Sequence, residues 1–259
     1  MSHAALTQAL RHDRWLVLAA LLTISGLALG YTAWLATDFD MSAMMAPRFV
    51  PWSAGHFAFM SAMWVVMMIG MMTPSVAPMV LIYAGIARQA ATRGTPFAAA
   101  GWFASGYLLA WIVFSLIATC AQWWLESRAL IAPMMAGTGR VAGGVILILA
   151  GVYQWLPIKQ ACLVQCSAPL VFVQRHGGFA SSASGSVRLG VLHGLYCIGC
   201  CWTLMALLFA FGVMNLVWIA GLMVYVLLEK LLPDPRVVSR LAGLAAIAAG
   251  LWMLSEGRT

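Results

Sequence analysis

The sequence predicts an all-α fold: a polytopic transmembrane helical bundle of about seven helices, forming one integral membrane domain over residues 1–259. Three observations lead there. The chain is 63% apolar and only 8% charged, whereas an ordinary soluble domain carries about 25% charge. Its mean hydropathy is +0.94. Seven apolar runs approach or exceed the ~20 residues needed to cross a hydrocarbon core. With too few polar side chains to coat a globule, the apolar surface must face lipid.

The expected spans are 15–36, 57–86, 97–123, 141–156, 189–211, 216–231 and 237–254. The first follows Arg11 and Arg14, and its run of about 22 residues exceeds the core of a signal peptide, so it reads as a retained anchor. The second contains Thr73, Pro74, Ser75 and Pro78 and is expected to kink or break part-way. The fourth is short. Between the fourth and fifth, residues 157–187 read as an inner loop ending in the small-residue run Gly177 to Ser186. At the start of the sixth, Asn215 suits a helix cap. At its end, Glu229 and Lys230 fit pairing with neighbours or snorkelling to the interface.

Orientation follows from Lys and Arg. With the N-terminus cytoplasmic, only Arg48, Arg128, Arg140 and Arg258 of the 14 basic residues fall outside. That bias places the C-terminus on the outer side and suits the cell inner (cytoplasmic) membrane. The net charge of +7 forms no single patch, so it orients helices and does not bind nucleic acid. Membrane lipid is the expected surrounding partner.

The sulfur residues carry the chemistry. On the fifth span His193, Cys197 and Cys200 share a sector about 60° wide, with Cys201 beside it and Met205 one turn on. Cys200 lies about 18 Å along the axis from Arg188, near the bilayer centre. Three thiols and an imidazole form a soft-ligand set suited to copper as Cu(I), or to zinc. On the second span His56, Met60, Met63, Met67 and Met71 form a stripe, flanked by Met68, Met72 and Met79; thioethers select Cu(I). Packing alone also explains a methionine stripe. Cys162 and Cys166, four residues apart, share one face if their segment is helical. The 17 methionines gather towards the outer side, including Met41, Met44, Met45, Met134 and Met135, while the cysteines lie centrally and inside. Such a gradient suits copper, because a thioether survives where an exposed thiol oxidises. Cys120, His3, His12 and His176 carry no assignment.

Other chemistries lack their residues. Apart from Glu229 no acid falls within an expected span, and no phosphate loop, nucleophile elbow or zincin motif is present.

At these residues the chain resembles a family of predicted metal-binding integral membrane proteins, some linked to copper delivery to tyrosinase-type cuproenzymes. Three blocks carry the likeness. The first is Trp64, Met67, Met68, Gly70, Met71, Met72, Pro74, Ser75 and Pro78 to Tyr83. The second is Tyr153, Gln154, Pro157, Lys159, Cys162, Leu163 and Cys166. The third is Gly190, Gly194, Cys197, Gly199 to Trp202, Leu204, Met205, Gly212 to Asn215, Trp218, Glu229 and Lys230. Gly70 stands where the pattern has alanine, Ile158 where it has leucine, and Ser167 where it has arginine. The resemblance implies a copper chaperone or transporter, not an enzyme, with a cuproenzyme or a soluble copper carrier as partner. Two other classes fit the cysteines: a membrane thiol–disulfide relay, and a structural subunit whose helices pack through Gly190 and Gly194.

Overall fold

The computed structural model describes residues 19, 22–34, 52–92, 100–128, 140–178, 181–213, 215–232 and 234–256. Among these residues the chain is helical throughout, with no strand. The helices are α1 (22–34), α2 (Ala54–Thr92), α3 (Ala100–Ser127), α4 (Arg140–Tyr153), α5 (Pro157–Ser167), α6 (Pro169–Arg175), α7 (Ala183–Phe211), α8 (Leu216–Leu231) and α9 (Pro235–Glu256). Four of them, α2, α3, α7 and α9, are long and apolar enough to cross a membrane, and a fifth span results if α4 and α5 are counted together. The outer-loop methionines Met41, Met44, Met45, Met134 and Met135 lie outside the described residues.

The long helix α2 does not break at its prolines. It continues through Pro74 and Pro78 for 39 residues. Around Pro74 two hydroxyls bond back to the helix: Thr73 Oγ1 donates to the Ile69 carbonyl at 2.6 Å and Ser75 Oγ to that of Met72 at 2.8 Å. Gly70 lies where α1 crosses; a Cβ there would stand 3.1 Å from the Ala28 methyl. The glycine that departs from the family pattern thus sits at a close helix contact.

Helices α2 and α3 run antiparallel, as their bonded pairs require. Trp52 Nε1 donates to Glu126 at 2.8 Å, Trp64 Nε1 to Gln122 at 2.7 Å, and Tyr107 Oη to the Met72 carbonyl at 3.1 Å. Helix α7 packs against α3 almost backbone to backbone. A side chain at Gly190 would collide with the Phe103 carbonyl, one at Gly106 with that of Val187, and one at Gly194 would lie 2.6 Å from the Ala110 methyl. Small residues permit this close approach of the two backbones. Helices α4 and α9 meet in the same way, through Gly144 on Gly250 and Gly151 on Gly243. That pairing is antiparallel.

Most of residues 157–187, expected as a loop, is helical. Helix α5 turns through 67° from α4 and packs back into the bundle. Pro157 opens it, a position where a missing N–H costs nothing. Its donors find partners inside: Lys159 donates to Gln154 and, at 2.7 Å, to Glu229, and Gln160 donates to the Gln154 carbonyl at 2.9 Å. Ser182 caps α7 through Gly185 N–H, and Asn215 caps α8 through the N–H groups of Val217 and Trp218. At 16 residues α8 is shorter than a full crossing. Large apolar side chains such as Leu109, Ile117, Leu149, Leu241 and Trp252 are exposed on the outside of the bundle.

Candidate metal centre

The core is a sulfur-rich column. Met60, Met63, Met67, Met68, Met71, Met72 and Met79 of α2 are all buried, as are Cys197, Cys200, Cys201 and Met205 of α7 and Cys166 of α5, and all belong to one packed cluster. The α2 stripe therefore faces inward. His56 lies one turn before Met60 and far from the thiols. It lies half-buried near the start of α2, edge-on to the Trp52 ring at 4.8 Å between centroids. Sixteen residues of helix, about 24 Å, separate it from Met72.

Three thiols meet. The sulfurs of Cys166, Cys197 and Cys200 all lie within 4.8 Å of one another, and Cys166 Sγ is 3.9 Å from Cys200 Sγ. Three coplanar thiolates, each about 2.3 Å from a central ion, would set their sulfurs about 4 Å apart. The donor set and its spacing fit a trigonal soft-metal site. All six cysteines are free.

The sequence placed Cys200 and Cys197 beside Cys201 and His193; the helix assembles a different trio. Cys201 Sγ turns back to donate to the Cys197 carbonyl at 2.9 Å. His193 is buried among Phe103, Tyr107 and Phe172, and its Nδ1 has no hydrogen-bond partner. Neither joins the thiol trio, whose third member comes from α5. Cys162, on the same face of α5, is half-buried beside Gly199; a Cβ at that glycine would stand 2.8 Å from its sulfur. Glycine makes room for the thiol. Tyr153 Oη donates to the Gly199 carbonyl at 2.5 Å, tying α4 to the same turn.

Two neighbours of the trio were not legible as such. Lys230 of α8 is buried, and its Nζ donates to Cys197 Sγ at 2.9 Å and to Ser75 Oγ at 3.1 Å. Tyr107 of α3 is buried with its Oη 3.2 Å from Cys197 Sγ, 3.2 Å from Ser75 Oγ and 3.1 Å from the Met72 carbonyl. Through these two residues, α2, α3, α7 and α8 converge on one sulfur. Lys230 does not snorkel; its ammonium supplies the positive charge that a thiolate needs in a dry interior. The signal for it was the rarity of a lysine inside an apolar run. Nothing in the sequence around Tyr107 marks it.

Glu229 is equally buried and forms an ion pair with Lys159 at 2.7 Å, both side chains being 0% exposed. Tyr225 Oη donates to the same carboxylate oxygen at 2.9 Å. This pair locks α5 to α8, and so holds the Cys166 helix against Lys230's.

A copper chaperone family, PpoB2, matches residues 61–253. The chain belongs to that family. The matched stretch begins beside Met60, takes in the methionine stripe of α2 and the trio, and ends near the close of α9. Membership fits copper as the metal and a role outside catalysis, with a copper-using partner. No curated protein and no solved structure matches the chain.

Proposed function

We propose that this copper chaperone is an integral protein of the cell inner membrane that binds Cu(I) and transports or delivers it to a cuproenzyme of the tyrosinase type. One observation carries the proposal: three thiols from two helices come within 4.8 Å of one another beside a buried ammonium. Thiolates are the preferred donors for Cu(I). A bare cation in hydrocarbon costs far more than one passed between soft ligands.

In this proposal the ion is captured at the outer end by His56 and the outer methionines. It moves along Met60, Met67, Met68, Met71 and Met72 and reaches Cys166, Cys197 and Cys200 beneath Tyr107. Met205, Cys201 and His193 flank that position as alternative ligands, and Cys162 is the next thiol along α5. About seven spans, with the N-terminus cytoplasmic, set these groups in order from outside to inside.

Purified protein is expected to hold close to one Cu(I) per chain. Changing Cys166, Cys197 and Cys200 together to serine should remove it, while Cys201→Ser should leave the stoichiometry intact. Copper content unchanged in the triple variant would reject the trio as the site. A thiol–disulfide relay is the second reading, favoured by the 3.9 Å gap between Cys166 and Cys200. Thiol labelling that finds a Cys166–Cys200 disulfide in protein isolated without added oxidant would favour the relay over metal binding.

A further inference from the structure

Where α4 bends into α5, three guanidinium groups converge on one hollow. Arg175 of α6 and Arg236 and Arg240 of α9 line a pocket of about 480 Å3 together with Trp155, Pro157 and Gln160. The Arg240 guanidinium lies over the Trp155 ring, 5.7 Å from its centroid. Among the described residues none of the three arginines is in an ion pair. Asp234, two residues before Arg236, is engaged at 3.4 Å with the backbone N–H of Val237. All three are exposed at the mouth of the pocket, and three like charges around one cavity favour an anion between them. Guanidinium is the side chain whose planar fork matches phosphate oxygens. The first turn of α5, at Pro157, opens onto the same pocket and adds the positive end of a helix dipole.

The rim identifies the kind of anion. Leu156, Ile158, Val237 and Leu241 are exposed next to the arginines, and Leu149, Val152, Leu244 and Leu251 continue the apolar surface along α4 and α9. A free inorganic ion has no use for such a rim. A molecule with an anionic head and apolar tails would use both parts.

We infer that this pocket binds the phosphate headgroup of an anionic phospholipid, whose acyl chains lie along the exposed faces of α4 and α9. The inference rests on the proposed membrane placement and not on the copper reading. Its position gives the lipid a structural consequence. The headgroup would brace the bend from which α5, the helix carrying Cys166, sets out.

Native mass spectrometry of the whole protein, released from detergent after mixing with phosphatidylglycerol or phosphatidylcholine, tests this. Wild type should retain phosphatidylglycerol selectively. R236Q/R240Q should weaken that retention by about 30-fold, from roughly a fivefold effect of each arginine near an anionic surface. R88Q/R188Q removes the same charge elsewhere and should leave retention close to wild type; single R240Q should fall between. Equal losses in both double variants would show diffuse charge attraction and overturn the site, as would no loss in either. Saturable binding of inorganic phosphate with no preference between the lipids would overturn the lipid assignment. Copper content measured on the same samples should stay at the wild-type value in every variant, so a failure of the thiol site is recognised separately.

Discussion

At the scale of single residues, the buried charges decide more than the sulfurs do. Lys230 stood out in the sequence as a charge near a helix end and as part of the third block of the resemblance, and snorkelling accounts for most such lysines. The fold buries it against Cys197 instead. Lys230→Met keeps the length and removes the ammonium. It is expected to weaken Cu(I) binding by about tenfold or more, the loss of roughly one charge-assisted bond, in a competition titration against a Cu(I) chelator. An unchanged affinity would leave the lysine a purely structural role. The Lys159–Glu229 pair gives a stability prediction. Lys159→Met alone strands a carboxylate with one oxygen, Oε2, already unpartnered, and should destabilise the fold by about 3–5 kcal/mol. The double variant with Glu229→Leu should recover most of that loss, because an apolar pair of similar volume carries no desolvation penalty. Urea unfolding in detergent would measure both.

At the scale of elements, the long apolar runs were readable and their ends were less so. The apolar runs placed α3 and α9 within four residues at each end, while α2 runs six residues past its expected end and α7 begins six residues before its expected start, since nothing but a helix satisfies its own backbone in an apolar run. The helices within residues 157–187 were harder to see for a specific reason. Lys159, Gln160 and Gln165 give α5 the composition of a surface segment, and hydropathy cannot see that Glu229 and Ser239, some 70 to 80 residues away, receive Lys159 and Gln160. Cys166 entered the core with that helix, so the trio itself could not be derived from spacing on α7 alone. The contact that seats α7 is testable. Gly190→Leu would drive a side chain into the α3 backbone at Phe103 and should abolish both monodispersity in detergent and copper retention. Gly221→Leu, on α8 where a Cβ meets nothing within 4 Å, should change neither.

At the scale of the whole molecule, burial revises the charge balance on which orientation rests. Lys159 and Lys230 belong to the interior, which leaves eight arginines expected inside against four expected outside, a bias of the same sign. The two ends of the bundle are also chemically distinct. One end holds His56, Trp52 and the buried carboxylate of Glu126; the other holds the cluster of Arg175, Arg236 and Arg240. Ser53 and Ser181 are both exposed. Ser53 precedes α2 beside the C-terminal turn of α3, whereas Ser181 precedes α7, whose first turns pack on the start of α3. They therefore mark opposite ends. In a background lacking the native cysteines, Ser53→Cys should react with a membrane-impermeant maleimide in intact cells and Ser181→Cys only in inverted vesicles. The reverse pattern would turn the path around, making the methionines a cytoplasmic intake and the thiols a store for export. Reaction of both from one side would mean that α2 and α3 do not cross the bilayer, and a trio at their centre would then have no membrane to carry copper through.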